Sequence, residues 1–485
     1  MDLESAYSSF QSTNVFVEIF RELMPLVIAI TLLYLYYRGR ITIIDTLLYA
    51  FASEAYTMLA IGPTFTASFF IQMFFLVDQV HRLITGRLFI KKEYLLLLMM
   101  PLLSQVAVFL IIQLYKDPFS YPQGKMFTFY TKPLYFYIKT YLPLMALGAR
   151  IIQDREFISF NGFYATMKRI TMIACCIAVL QILVIRIFNS IELGEVFGLQ
   201  RRYLIEGVSN GILGMRVQAL FSEPKTFSAF LSLSIPILIK DREYKSALFA
   251  FLIAFSTSSQ TFWVNMMIAG LLFVFLKNMP SVRTKILGTL GVVIGVFLIV
   301  AASKDFFLKH YMENRNDPLY KTLFERSAYR YDNEIWQKDN IVLGIPLQRD
   351  MELPIVDFFR SEPYLLISGY GPGNSVFIPE TYFFGQYTSK AWASGIGGHN
   401  INMRWFYILA EFGAIALCFF FIIMTKTNQR NTSFNNHYLA YVAICFFFCQ
   451  IDLFLIIVAL LSVYGNNDPE EDDAEEEVAP RLRGL

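Results

Sequence analysis

Apolar runs separated by short polar connectors make up most of this chain, and only one polar stretch is long. Runs able to cross hydrocarbon occupy about 16–37, 41–60, 63–80, 93–115, 134–152, 170–188, 226–240, 246–258, 260–276, 285–303, 403–425 and 437–464. The last is long enough for one tilted helix or a hairpin of two half-spans, with Gln450 and Asp452 near its middle. About 12–14 spans are therefore expected. The pattern predicts an all-α, polytopic helical membrane protein. Its parts are an N-terminal transmembrane bundle (1–303) that includes an outer loop at 189–225, a large outer loop (304–402), C-terminal transmembrane helices (403–464) and an acidic, disordered tail (465–485).

The connectors orient the spans. Arg38–Arg40, His81–Lys92, Gln153–Arg169, Asp241–Lys245, Lys277–Lys285 and Lys426–Arg430 are basic, and with single spans all of them fall on one side, the cytoplasmic one. Segments 116–133, 189–225 and 304–402 then face outward, as does the N-terminus. Within 304–402, Leu319–Trp336 has the spacing of an amphipathic interfacial helix, and Leu366–Ser375 is turn-like, with Gly369, Gly371, Pro372 and Gly373.

Composition sharpens the class. The 485 residues are 55% hydrophobic and 16% charged, against about 45–50% and about 25% for soluble domains. Mean hydropathy is +0.47. The net charge of +2 points to no partner, and nothing suggests nucleic acid. Cys175, Cys176, Cys418, Cys445 and Cys449 all lie in apolar runs and read as buried structural thiols. Met1–Asn14 lacks the basic start of a cleavable signal peptide.

Candidate chemistry gathers in the outward segments. Met215–Lys225 (Met-Arg-Val-Gln-Ala-Leu-Phe-Ser-Glu-Pro-Lys) offers Arg216 and Lys225 to phosphate oxygens and Glu223 as a proton acceptor. The competing reading is cations touching lipid headgroups. Arg326 and Arg330 are four apart, on one face if a helix forms there, and taken alone the pair reads first as a solvated helix face with ion pairs. Gly369-Tyr370-Gly371-Pro372-Gly373-Asn374 lets backbone approach a ligand, but no Gly-Lys-Ser/Thr follows, so it is not a Walker-type phosphate loop. His399, with Asn400 and Arg404, stands where the large loop re-enters an apolar run, either as a functional base or as a helix cap. No second His or Cys stands at metal spacing from it, and no Asp-x-Asp pair occurs in an outer loop, so no metal or cofactor is expected. The acids Glu54, Asp78, Glu411 and Asp452 lie in or at the ends of apolar runs.

In order and placement these pieces resemble the O-antigen polymerase and O-antigen ligase superfamily of bacterial envelope glycosyltransferases. The resemblance is carried by Arg216–Pro224, the break Phe255-Ser256-Thr257-Ser258-Ser259-Gln260-Thr261, the Gly369–Asn374 turn, and His399-Asn400 leading into Leu409-Ala410-Glu411-Phe412-Gly413, over about residues 200–425. Two departures stand out. Gln260 occupies a position where the family often has arginine, so no role passes to it. Gly413 is followed by Ala-Ile-Ala-Leu, whereas the ligase branch tends to have further glycines, which favours polymerase.

The resemblance implies a metal-independent, GT-C-like transferase in the bacterial inner membrane. It would join oligosaccharide repeat units carried on undecaprenyl pyrophosphate, with a chain-length regulator and a flippase as further partners beside membrane lipids. Arginines can replace a metal because the pyrophosphate leaving group is already anionic. Arg216 and Arg326 would hold it, with Arg330 and Lys225 behind them. His399, or else Glu223, would be the base, and Asn400, Arg404, Gly371 and Asn374 would make further substrate contacts. An O-antigen ligase is the nearest alternative, and a lipid or polysaccharide flippase is the alternative of another class.

Overall fold

The computed structural model describes residues 14–58, 65–86, 106–110, 126–138, 160–200, 215–257, 259–275, 287–292, 352–378, 404–426 and 434–448, with single positions and pairs between them. In chain order the helices are α1 (Val15–Tyr37), α2 (Ile43–Phe51), α3 (Ala67–Ile84), α4 (Met126–Phe136), α5 (Phe160–Arg186), α6 (Ile191–Val196), α7 (Pro224–Lys240), α8 (Tyr244–Ser256), α9 (Gln260–Gly270, continued by a π turn over Leu271–Phe275), α10 (Glu352–Ser361), α11 (Leu365–Ser368), α12 (Arg404–Lys426) and α13 (Phe434–Phe448). Apart from one antiparallel pair, Ile341–Val342 with Ile345–Pro346, the described residues are all-α.

Local chemistry sets several starts. The Asn14 side chain accepts from Phe16 N to cap α1, Thr42 and Asp45 form a reciprocal capping box on α2, and Thr66 caps α3. The expected spans at 16–37, 226–240 and 246–258 coincide with α1, α7 and α8 to within two residues.

Other expectations need correction. The run 41–60 is not one helix: α2 stops at Phe51 after 9 residues, about 14 Å of rise. Beyond it Ala55 N donates to Leu220 O at 2.7 Å instead of continuing the helix. The connector 153–169 is helical from Phe160, making α5 27 residues long. The connector 116–133 contains most of α4. Run 403–425 breaks at Gly413, where φ is 86°. Cys176 and Cys418 are exposed, so the reading of buried thiols holds for Cys175 and Cys445. The segments 93–105 and 319–336, Gln450, Asp452 and the tail lie outside the described residues, apart from Leu103.

The main core joins α1–α3, α5, α7–α9 and α13, and a second one joins α4, α10, α11 and the first half of α12. Large apolar side chains also cover the exterior, from Phe16 and Ile30 on α1 through Ile84 on α3 and Leu180 on α5 to Leu252 on α8 and Met267 on α9. Among the described residues one helix, α5, is both long and apolar enough to cross a membrane, with a mean hydropathy of 2.0.

Polar contacts sort the helix ends into two sets. At one, the basic end, Arg150 donates to Tyr36 Oη, Lys168 Nζ donates to Asp241 (2.6 Å) and Glu243 (2.8 Å), Thr166 bonds Asp45, and Tyr164 Oη donates to Asn435 Oδ1. At the other, the loop end, Asn14 meets Glu192, Arg21 lies 4.0 Å from Glu195, and Tyr56 Oη donates to Val196 O.

Between the ends, α7 carries Pro236, which has no N–H for Ser232 O. Tyr441 Oη of α13 donates to that carbonyl at 3.0 Å, and Tyr438 Oη donates to Leu233 O at 3.1 Å. The Asn265 amide of α9 donates to Ser232 Oγ, so one turn of α7 ties three helices together. Tyr441→Phe leaves Ser232 O dry and is expected to lower the unfolding free energy by about 1–2 kcal/mol. Pro236→Ala in the same background restores an intrahelical donor and should recover most of that loss in denaturant unfolding. An equal loss with Ala at 236 would contradict the assignment.

Candidate functional site

The loop end of the bundle is shaped by Met215–Lys225, the stretch between α6 and α7 that carries the first group of candidate residues. Its backbone cannot be a helix, because Ala219 takes φ 49°, a conformation costly to a residue with a Cβ. A buried primary amide holds it there. Gln181 of α5 donates through Nε2 to Phe197 O and Ala219 O, both at 2.8 Å, and its Oε1 accepts from Ala219 N at 3.0 Å. Gln218 Nε2 donates to Gly198 O at 2.6 Å, and Gln200 Nε2 to Ser222 O at 3.2 Å. Phe221 stacks on Phe227 and meets Phe51 edge-on, which anchors the loop to α7 and α2.

Arg216 is half-buried, and its Nε donates to Thr257 O at 3.0 Å. Val217 N donates to Ser256 O at 3.2 Å. The arginine loop therefore docks on the break between α8 and α9, joining two motifs that lie forty residues apart. Glu223 is the N-cap residue of α7, and its carboxylate makes no capping bond. Pro224 and Lys225 form the first turn, so the stretch that carries Arg216 leads directly into Lys225 at the positive end of a helix, an arrangement that suits an anion.

The glycine turn forms a second rigid unit. Tyr370 N donates to Ala410 O (2.8 Å), Gly371 N to Glu411 O (3.0 Å), and Gly373 N to the buried carboxylate of Glu411 at Oε2 (2.8 Å). Gly371 and Asn374 are themselves buried. The Asn374 amide donates to Phe129 O and Tyr370 O, which ties α4 to the turn. Lys132 of α4 belongs to the same cluster, 5.3 Å from the centroid of the Phe377 ring. Burial pulls its ammonium down to about 8, against the opposing influence of Glu411's carboxylate. Lys132 lies in the connector that the hydropathy pattern leaves outside the spans.

Of the residues singled out in the sequence, Arg216, Glu223 and Lys225 share one loop, while Gly371 and Asn374 share the clamp on α12. Arg404 opens α12. Arg326, Arg330, His399 and Asn400 lie outside the described residues. Sequence reasoning missed Gln181, Thr257 and Lys132. A lone amide within the apolar run 170–188 was the available signal for Gln181. Thr257 lies in the serine-threonine break that the sequence singles out, but nothing there pointed to its carbonyl as the partner of Arg216. Among the described residues no group of His, Cys, Asp or Glu that could hold a metal occurs. No family model, curated protein or solved structure matches this chain.

The clamp makes a specific demand on two glycines. A Cβ at Gly413 would stand 2.2 Å from Ile367 O, and one at Gly369 would stand 2.5 Å from Phe412 N. Gly39 also has positive φ (66°), with nothing within 4 Å of its would-be Cβ. Gly39→Ala is therefore expected to cost only the backbone strain, about 1–3 kcal/mol. Gly413→Ala should cost clearly more, because α11 must also move off α12. Equal losses in thermal unfolding would show that the clamp is not close-packed.

Proposed function

We propose that this chain is a polytopic membrane glycosyltransferase of the O-antigen polymerase type. It joins undecaprenyl-pyrophosphate-linked repeat units at the outer face of the bacterial inner membrane. The observation that carries the reading is the placement of Arg216, Glu223 and Lys225 on one braced loop, at the end of the bundle opposite Lys168, Arg150 and the other basic-end contacts. The apolar exterior on both long and short helices supports embedding in lipid. The positive-inside rule then makes the basic end cytoplasmic and turns the loop toward a flipped donor.

In this reading Arg216 and Lys225 meet the donor's pyrophosphate beside the α7 N-terminus, with Arg326 and Arg330 as further cations. The acceptor hydroxyl oxygen bonds to the anomeric carbon as the bond from that carbon to the pyrophosphate oxygen breaks. The proton passes to a base, His399 or Glu223, and the electron pair leaves with undecaprenyl pyrophosphate, whose developing charge the cations stabilise. Fixing Arg216 through Nε pre-sets the position of its guanidinium, and such preorganisation is the source of electrostatic catalysis.

Purified protein in detergent, incubated with lipid-linked repeat units, should yield a ladder of products that survives EDTA. Arg216→Lys keeps charge but loses the planar fork, and should remove most of the ladder while the protein still folds. A single transfer to a different acceptor would identify a ligase instead, and no transfer at all would favour transport. A full ladder from Arg216→Ala would return Arg216 to contact with lipid headgroups.

A further inference from the structure

The Arg216 loop docks on the break between α8 and α9, through Arg216 Nε to Thr257 O at 3.0 Å and Val217 N to Ser256 O at 3.2 Å. Directly beside that break the two helices meet through aromatic rings. Phe255 and Trp263 are edge-on with centroids 4.8 Å apart, and Phe251, one turn back on α8, meets Phe262 and Trp263 at 5.4 and 6.0 Å. Phe255 and Trp263 are nevertheless exposed. The exposed positions continue from them toward the basic end, with Leu252 and Leu248 on α8 and Met267 and Val274 on α9. Spacings of three and four residues keep each series on one side of its helix, and the ring contacts mark that side as the one where α8 and α9 meet. The two series therefore flank an apolar groove. It starts at the docked arginine loop and descends along the exterior of the bundle.

The groove is uneven in width. The Phe255 and Trp263 rings narrow its head. Two turns further along α9, about 10 Å away, Gly270 opens it. A Cβ at Gly270 would meet nothing within 4 Å. Met267, between the two points, has an unbranched side chain that adapts to irregular surfaces. A saturated acyl chain has a constant width and gains nothing from such a gap, whereas a polyisoprenoid carries a methyl branch on every unit. The head of the groove adds a charge requirement. In the proposed function Arg216 meets the donor's pyrophosphate, and the groove leads from that point into the apolar belt. An anionic head on one long, branched apolar chain matches both parts.

We propose that the groove between α8 and α9 holds the polyisoprenoid chain of the lipid-linked donor. The first isoprene units lie against Phe255 and Trp263, and a methyl branch further along enters the gap at Gly270. The inference rests on the reading of Arg216 as a pyrophosphate ligand. It adds to that reading that the protein selects its donor by the length and branching of the lipid as well as by its charged head.

The test is retention of lipid pyrophosphates by the purified full chain in detergent, read by native mass spectrometry. Undecaprenyl pyrophosphate is long and branched, hexadecyl pyrophosphate is long and unbranched, and geranyl pyrophosphate is branched but too short to fill the groove. Wild type should retain the undecaprenyl compound on the order of tenfold over the geranyl one, with the hexadecyl compound between them. Gly270→Leu has room for its side chain, so it should unfold at the wild-type temperature while losing most of the undecaprenyl preference and keeping geranyl retention. Trp263→Ala should lower retention of both prenyl compounds. Leu180→Trp, on the exposed side of α5, should change nothing. An unchanged preference in both groove variants would overturn the proposal, as would an equal loss in the α5 variant. Displacement of undecaprenyl pyrophosphate by equimolar phosphatidylglycerol would mark the groove as ordinary lipid-facing surface and also overturn it. A wild type that builds the polymer ladder yet retains all three pyrophosphates alike would overturn the groove and leave the transfer reading intact. A wild type that keeps the long-chain preference but builds no ladder would support the groove and count against the transfer reading.

Discussion

A backbone carbonyl or N–H that leaves a helix inside an apolar surround must find its partner in the protein, because no water is there to take the place. Three breaks in this bundle are arranged around that demand. Pro236 removes a donor from α7, and Tyr441 supplies one from α13. The stretch after α6 leaves the helical path, and Gln181 takes both backbone groups of Ala219. α12 breaks at Gly413, and the glycine turn lays its N–H groups on Ala410 O, Glu411 O and the Glu411 carboxylate. In the proposed membrane-embedded state these contacts hold tertiary structure where apolar packing alone gives little direction, since apolar side chains would be at home in lipid as well as in the core.

The same demand explains what was legible in the sequence. The apolar runs sufficed for α1, α7 and α8, whose signal is local to each helix. The run 41–60 was misread because its end is set by Leu220, which is distant in sequence, and not by a local stop signal. The kink in α12 was hidden for a similar reason. Gly413 in an apolar run costs a helix about 1 kcal/mol and gives no direction, whereas the close approach of Ile367 O, which leaves no room for a Cβ, comes from a segment distant in sequence. Among candidate site residues, Arg216, Glu223 and Lys225 were visible as charges in a segment expected to face outward, against the positive-inside bias. Gly371 and Asn374 were visible as a turn, but that the turn is pinned to Glu411 was not, because nothing local to either segment encodes their contact.

The two rigid units give the proposed chemistry a physical basis. One braces the cations of 215–225 against the α8–α9 break. The other fixes the turn 369–374 on α12, whose first residue, Arg404, follows His399 and Asn400 closely in sequence. Positions set by buried amides and close-packed glycines would not have to be found anew in each cycle of the proposed reaction, which is what metal-free stabilisation of a pyrophosphate leaving group requires.

The central claim is that the two sets of helix ends lie in different compartments, with the Arg216 loop outside and the Lys168 cluster inside. Single cysteines at Ser222 and Arg242, in a chain whose native cysteines are replaced, decide it directly in intact cells treated with a membrane-impermeant maleimide. Ser222→Cys should label at once, and Arg242→Cys only after the membrane is permeabilised. Labelling of both positions from the same side would contradict the account.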